Sequence, residues 1–402
     1  MHAPPESPAR DAPLLSVLAR YPQISETFVE NELRELEARG VPIEVVALAP
    51  GHADPERPPV SVVGYPADQS PAERLRAAAR LAREQPRAVG GYLRGERAWP
   101  PPNGRRRLRG LGRIAPWVAQ AREARHLHAH FATEPTDIAR LLSRFSGRPY
   151  SFAGHATDVF QDPDALRENL AGAKFMVTDC EYNRRHIASV APEHAHKVSV
   201  LILGTDLERF RRMTPYLAEG PVVAVGRLVP KKGFADLIAA AARPEACLDG
   251  REVLIVGEGP QRPELERQIA ASRAPVRLLG AQGNDSIREL LERAAIFALP
   301  CIVGPDGDRD SMPVALKEAM ALELPVVGTR EVGLPELIDS DRGRLVPPTD
   351  PPALALALGE LLGMPAGERV AMGRAGRAFV EAHCDQRRQA ERLLELIEGP
   401  DA

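Results

Sequence analysis

Short apolar runs alternate with stretches of helical periodicity along nearly the whole chain of 402 residues. In the first half the runs are Leu14–Ala19, Ile43–Leu48, His126–Phe131, Tyr150–Ala153, Phe175–Thr178 and Val198–Leu201. In the second half they are Val222–Val225, Val253–Val256, Val276–Leu279, Ile296–Leu299, Pro325–Gly328 and Arg344–Val346. Runs this short and this apolar suit strands buried on both faces, and strands that alternate with helices form parallel sheets covered on both sides. A chain of this length has room for two full cores. The fold class is therefore α/β, with two doubly wound parallel-sheet domains facing across a cleft. The boundary is expected at 211/212, after Asp206-Leu207-Glu208-Arg209-Phe210, giving domains over residues 13–211 and 212–384. Residues 1–12 are polar and Pro-rich and are expected to be disordered.

Composition serves mainly to exclude. No apolar run reaches the ~18 residues of a transmembrane helix, and the first residues lack the apolar core of a signal peptide. Cys180, Cys247, Cys301 and Cys384 show no C-x-x-C spacing, against a zinc ribbon or a redox motif. A cytoplasmic protein is expected, and a peripheral position at the inner face of the membrane is a second reading. The latter comes from residues 71–125, where fourteen arginines fall between Arg74 and Arg125 with Tyr92, Trp99 and Trp117 among them. Gly104-Arg105-Arg106-Arg107-Leu108-Arg109 is the densest part. The plainest reading is a solvated helical excursion with an Ala-rich stripe. Peripheral membrane contact through residues 74–125, or recognition of an acidic acceptor, suits the same residues. Nucleic acid is not expected as a partner, because the net charge is -3 and no binding motif is present.

Two segments carry chemistry. In Asp310-Ser311-Met312-Pro313-Val314-Ala315-Leu316-Lys317-Glu318, a loop acid precedes a helix whose apolar positions begin after Pro313. Pro313 suits the first helical position, where its missing N–H is no loss. The free amides of a helix start favour phosphate or a developing anion. Acids such as Asp310 and Glu318, which accept hydrogen bonds only, suit the hydroxyls of a sugar and a ribose. Upstream, Val222–Val225 leads into Gly226-Arg227-Leu228-Val229-Pro230-Lys231-Lys232-Gly233. Arg227 and Lys232 would flank the carboxyl end of that strand, where open α/β sheets bind their ligands. Gly257-Glu258-Gly259 lacks the third Gly of a dinucleotide fingerprint, so an NAD dehydrogenase is not expected.

Together these segments resemble the retaining glycosyltransferases of family 4 (glycosyl transferases group 1). That family carries G-R-L-x-x-x-K-G and, later, E-x7-E followed by A-M-A-x-G-x-P-V-V. Here the matching residues are Gly226-Arg227-Leu228, Lys232-Gly233 and Glu318-Ala319-Met320-Ala321-Leu322-Glu323-Leu324-Pro325-Val326-Val327. Tyr21-Pro22-Gln23-Ile24-Ser25-Glu26-Thr27-Phe28-Val29, His128-Ala129-His130-Phe131-Ala132 and Ser151-Phe152-Ala153-Gly154-His155-Ala156-Thr157-Asp158 are similar to the colanic-acid-biosynthesis-type subgroup. The likeness runs in one order over roughly residues 14 to 385.

The resemblance implies the GT-B fold, with Rossmann-like domains for acceptor and nucleotide sugar and a final helix, in 385–402, returning to the first domain. It implies transfer of a sugar from a nucleoside diphosphate sugar, a substrate rather than a cofactor, with retention and without a metal. Gly226, Arg227, Lys232, Ser311, Met312, Pro313, Val314 and Glu318 would bind the donor. His155, Asp310, Arg227 and Lys232 would be catalytic, His155 through contact with the donor sugar. Ser25, Glu26, Thr27, His130 and Asp158 would lie on the acceptor side, Asp158 orienting His155 or capping a helix. The acceptor would be a glycan, a lipid-linked glycan or a small molecule of an antibiotic pathway, accepting through O, N or S. A GT-B sugar-nucleotide epimerase and a non-catalytic sugar-nucleotide binder are the rival readings.

Departures from the pattern are specific. Asp310 stands where the family usually has Glu, and Ser311 and Met312 where it commonly has Gly and a small apolar residue. These positions bear on the donor sugar. Leu322-Glu323-Leu324 replaces the usual Gly, and Asp179-Cys180 stands where a Ser tends to start a helix; both read as structural drift.

Overall fold

The computed structural model describes residues 11–23, 26–52, 63–94 and 104–399. Ser25, residues 1–10 of the N-terminal segment and residues 95–103, Trp99 included, lie outside the described residues. The chain divides into two compact units, the first made of Met1–Thr178, Arg184–Leu201 and Ala390–Ala402, the second of Asp179–Asn183 and Ile202–Gln389. The crossing at 201/202 precedes the expected 211/212 for a packing reason. Ile202, Leu207 and Phe210 already lie on the second unit's core.

Each unit is built on one parallel sheet. The first holds β1 (Leu14–Gln23), β2 (Ile43–His52), β3 (Val63–Gly64), β4 (His126–His130), β5 (Tyr150–Gly154), β6 (Met176–Thr178) and β7 (Val198–Val200), in the order β3-β2-β1-β4-β5-β6-β7. The second holds β8 (Val222–Val225), β9 (Val253–Val256), β10 (Val276–Gly280), β11 (Ile296–Leu299), β12 (Val326–Thr329) and β13 (Gly343–Val346), in the order β10-β9-β8-β11-β12-β13. Strand order reverses between β1 and β4, and again between β8 and β11. The carboxyl ends of those pairs are the switch points at which doubly wound sheets take ligands. The edge strand β3, only two residues long, has no run from which to be read.

The Arg-rich stretch is not a solvated excursion. It forms helices Pro71–Glu84, Pro86–Arg94, Gly104–Ile114 and Trp117–Glu123. Leu81, Val89, Tyr92, Leu111, Ile114, Trp117 and Val118 from these helices join the same core as Leu15, Val17 and Leu127 of the sheet. The arginines obscured an apolar face made of few, widely spaced, large residues. Arg107 is itself buried, donating to the Leu93 carbonyl at 2.9 Å. Among the described residues no helix is long and apolar enough to cross a membrane.

The last helix, Gln386–Glu398, places Ala390, Leu393 and Ile397 in a core with Leu14, Leu18 and Leu36 of the first unit. Its beginning is held in the second unit, where Thr205 donates to the Cys384 carbonyl and Gln386 donates to that of Thr205.

Helix Val314–Ala321 starts one residue later than the sequence suggests, because Pro313 has an extended ψ of 128° and serves as its N-cap. At its other end the amide of Leu324 donates to the Ala319 carbonyl and that of Glu323 to Met320, the paired bonds of a Schellman ending. Glu323 thereby takes the left-handed conformation, φ 58°, which explains why Gly suits this position. The Asp179-Cys180 departure also has a structural account. The Glu336 carboxylate accepts from the amides of Glu181 and Tyr182 at 2.9 Å each, doing at a distance what a local Ser would do. Replacing Glu323 by Gly relieves the left-handed penalty and should stabilise the protein by roughly 0.5–1 kcal/mol, read as a higher urea midpoint at unchanged slope. A lower midpoint would show that the Glu323 side chain stabilises more than its conformation costs.

Candidate functional site

At the second unit's switch point, the loops after β8 and β11 are pressed together. Gly233 has φ 67°, and a Cβ there would fall 1.8 Å from the Pro300 carbonyl oxygen. The Ile302 amide donates to the Lys231 carbonyl at 2.9 Å. A Cβ on Gly226 would press on the Lys232 side chain at 3.2 Å, so glycine there makes room for the lysine to lie across the strand end. Gly257 and Gly259, in the loop after β9, face the carbonyl oxygens of Gly226 and Leu228 at distances that only glycine allows. The G-x-G thus serves loop packing.

This close approach assembles a charged chain. Lys232 Nζ lies 2.6 Å from Asp310 Oδ2, Lys231 Nζ lies 3.3 Å from Asp310 Oδ1, and Lys231 Nζ lies 2.9 Å from Asp308 Oδ1. The Cys301 thiol points at Asp310 Oδ2 from 3.7 Å. Burial disfavours the Asp310 carboxylate, but the two ammoniums outweigh it and hold its pKa below the ordinary value. Burial likewise opposes the charge on Lys232, and Asp310 more than restores it. Arg227 lies beside this group, exposed, and no carboxylate among the described residues pairs with it. Asp310 is therefore engaged by two lysines instead of standing open, and Lys231 and Asp308 are members that motif reading missed. The signal was the alternation Asp306-Gly307-Asp308-Arg309-Asp310 opposite a double lysine.

Two of the expected donor contacts turn inward. Ser311 and Met312 are buried, the Ser311 hydroxyl accepting from Asn183 Nδ2 at 2.8 Å and Met312 packing against Gly333. What they offer a ligand is backbone, and their side chains are committed to the core. Pro313 caps the helix that begins at Val314; the Leu316 amide donates to the Pro313 carbonyl at 3.2 Å, and the Val314 and Ala315 amides precede the first intrahelical bond. Glu318 is half-buried on that helix; burial pushes its pKa up to about 7, Lys317 and Arg209 drawing it back in part. Lys317 is wholly buried, its ammonium donating to the Leu203 carbonyl at 2.5 Å.

In the first unit, the residues of interest gather at the carboxyl ends of β1, β4 and β5. Glu26 is the N-cap of helix Thr27–Ala38, with Thr27 its first residue, and the Glu26 amide donates to the Gln23 carbonyl at 2.9 Å. All three β4 histidines are buried. The Ser151 hydroxyl lies 2.7 Å from both His126 Nε2 and His128 Nδ1, and burial pushes the pKa of both rings down to about 3. His130 is fully buried, its Nε2 3.3 Å from Glu32 Oε1, so it presents no ring atom to an acceptor at the surface. Glu32 was missed by sequence reasoning, although it is a carboxylate on the apolar stripe of Val29, Leu33 and Leu36. Glu32, His128 and His130 bring possible ligand atoms within 4.8 Å of one another, and the Glu32 carboxylate lies against the His130 ring at 3.3 Å.

His155 follows β5 and is packed by Phe28, Phe131 and His130, with ring centroids 4.9, 5.4 and 6.1 Å away. Asp158 does not reach an acceptor. Its buried carboxylate accepts from the amides of Ala132 (2.8 Å), Ala156 (2.7 Å) and His155 (3.2 Å), tying together the loops after β4 and β5. It fixes the backbone that carries His155.

The frame that carries these residues, two doubly wound parallel sheets, is one that known proteins share. Over 368 residues the chain is 29% identical to WcaL of Salmonella typhimurium, whose name assigns it to colanic acid biosynthesis, covering 85% of this chain and 89% of WcaL. Over 214 residues it is 34% identical to a GDP-mannose-dependent monoacylated alpha-(1-6)-phosphatidylinositol monomannoside mannosyltransferase of Corynebacterium glutamicum, covering 49% of this chain and 55% of that one. The crystal structure of Anabaena Alr3699/HepE in complex with UDP and glucose superposes with a TM-score of 0.72 at 17% identity, covering 97% of this chain and all of that one, which establishes the GT-B fold. Residues 219–364, the strands and loops of the charged switch point among them, match the family described as glycosyl transferases group 1, so the second unit carries a domain of that family and the chain as a whole is similar to its glycosyltransferases.

Proposed function

We propose that the protein transfers a glycosyl group from a nucleoside diphosphate sugar to a hydroxyl of a growing polysaccharide or glycolipid, with retention at the anomeric carbon. The observation that carries this reading is the exposed Arg227 beside Lys232 at the carboxyl end of β8, with Lys232 paired to Asp310 on the loop that leads into the helix at Val314. Guanidinium, ammonium and first-turn amides are the groups that neutralise a departing diphosphate. Two kinds of relatives support it: mannosyltransferases named for GDP-mannose and a fold neighbour crystallised with UDP-glucose.

In this reading the bond from the anomeric carbon to the diphosphate oxygen breaks as Arg227 and Lys232 take up the growing charge. The acceptor oxygen bonds to the same face of that carbon, and its proton passes to the departing phosphate oxygen. No enzymic nucleophile is needed. Asp310 accepts from a hydroxyl of the sugar and offsets positive charge at the reacting carbon, and Glu318 accepts from the ribose hydroxyls. His155 is the first unit's candidate contact to the sugar. The two cationic side chains supply the neutralisation that a divalent metal gives other transferases.

A lipid-carried acceptor is favoured by two exposed leucines on the Arg-rich helices, Leu75 at 71% and Leu108 at 58%. Their exposure among arginines suits a surface of anionic phospholipid. Co-sedimentation with phosphatidylglycerol vesicles should fall when Leu75 and Leu108 are both changed to Asp, and equal binding would place the acceptor's lipid elsewhere.

Arg227→Ala and Lys232→Ala each remove a charge-assisted contact and should lower kcat/KM by roughly 10- to 150-fold. Thermal shifts with UDP, GDP, dTDP and ADP identify the nucleotide first. Near-normal turnover in both variants would remove the site assignment. Product analysis that finds an isomerised sugar without transfer would favour an epimerase.

Glu318 gives a pH test with a definite sign. Folded, its carboxyl holds a proton up to about pH 7; unfolded, only up to the ordinary value of 4.5. Between these the folded state binds the extra proton, so the contribution of this group to stability falls as pH rises. Relative to Glu318→Gln, the parent protein should lose up to about 3 kcal/mol across that window. Nucleotide binding should tighten as the carboxylate ionises through pH 7, and that rise should be absent in the Gln variant. Parallel pH profiles for the two proteins would refute the assignment.

A further inference from the structure

The second switch point holds one more lysine than the leaving group requires. Lys231 is buried, its ammonium bridges Asp308 and Asp310, and its carbonyl is fixed by the Ile302 amide. Lys232 occupies the other oxygen of Asp310. On the reading above, Lys232 must serve a diphosphate as well. An ammonium committed to Asp310 at 2.6 Å is a weaker ligand for phosphate, and an Asp310 deprived of it would face an incoming anion with no counter-charge.

We propose that Lys231, held by Asp308, is a positioning residue that keeps Asp310 ionised and in place while Lys232 turns to the diphosphate. This rests on Arg227 and Lys232 being the diphosphate ligands. Geometry separates the two neighbouring lysines. The turn Pro230–Lys232 sends Lys231 toward the loop acids and leaves Lys232 across Gly226, beside Arg227. Three cations against the two carboxylates Asp308 and Asp310 leave one net positive charge, which suits an anion, and Asp310 keeps a partner whichever way Lys232 faces. Asp at 310 belongs to the same arrangement. One methylene shorter than Glu, it stays within reach of Lys231 at the base of the loop.

The groups facing Asp310 are Lys231, Lys232 and the Cys301 thiol, so a double-mutant cycle between 231 and 310 isolates the interaction. The full-length protein is titrated with UDP and GDP by calorimetry. Lys231→Met in the parent should weaken nucleotide binding roughly tenfold, because Asp310 then holds Lys232 alone. In the Asp310→Asn background, where Lys232 is no longer competed for, the same change should alter affinity by less than about twofold. Lys231→Arg should restore parental binding to within about threefold, as a variant that folds and keeps the charge. Equal losses in both backgrounds would overturn the proposal, marking Lys231 as a direct phosphate ligand or a purely structural residue, and so would no loss in the parent. A parent that binds no nucleoside diphosphate would overturn the donor reading itself.

Discussion

Charge neutralised between two loops is what the second unit is arranged around. The loop after β8 brings lysines and the loop after β11 brings aspartates, and the contacts at 2.6 to 3.3 Å lock the two together where the strand order reverses. Such buried ions are tolerated only when paired. The pairing depends on backbone detail: a left-handed Gly233 against Pro300, and a Gly226 that leaves room for the Lys232 chain. From this clamp the loop runs through Ser311 and Met312, whose buried side chains fix where helix Val314–Ala321 begins. Helix start, exposed Arg227 and ionised Asp310 are thereby held in one register.

The first unit solves a related problem with histidines. His126 and His128 are kept neutral by burial and share the Ser151 hydroxyl, while burial of Glu32, which opposes its charge, is outweighed by the neighbouring His130 and His128 together, so that its carboxyl lies below the ordinary value. Polar groups on a central strand are costly unless each finds a partner. Here the partners come from β5 and from helix Thr27–Ala38, and the packed rings of Phe28, Phe131 and His130 then define the position of His155.

Both sheets were legible because their strands are apolar on both faces and so stand out as runs, from Leu14 through Val346. The switch-point residues were legible because Arg227 and Lys232 follow an apolar strand in a basic loop, and because that loop resembles a motif of a known family. Much else was not. The motif singles out Lys232, but nothing in the sequence shows that Lys231 reaches Asp308 and Asp310; only the turn does. The interior of the Arg-rich helices hangs on Tyr92, Leu111 and Trp117, too far apart to form a stripe. Ser311 and Met312 sit beside the proposed binding residues in sequence yet are both buried, held by Asn183 and by packing against Gly333, partners far away in the chain. Glu323 looked like drift, and its left-handed φ of 58° shows a position with a conformational demand that the side chain merely tolerates.

The replacement of Glu by Asp at 310 has a consequence in hydrogen-bond capacity. A carboxylate offers about four acceptor positions. Lys231, Lys232 and the Cys301 thiol each approach Asp310, two of them at its Oδ2. With Lys232 turned to a diphosphate, two positions at most are free, and the shorter side chain aims them close to the loop. A longer Glu would extend past the lysines and reach two neighbouring hydroxyls. On the proposed reading, Asp310 would accept from one hydroxyl of a sugar held near the diphosphate, and donor selectivity would follow from which hydroxyl that is.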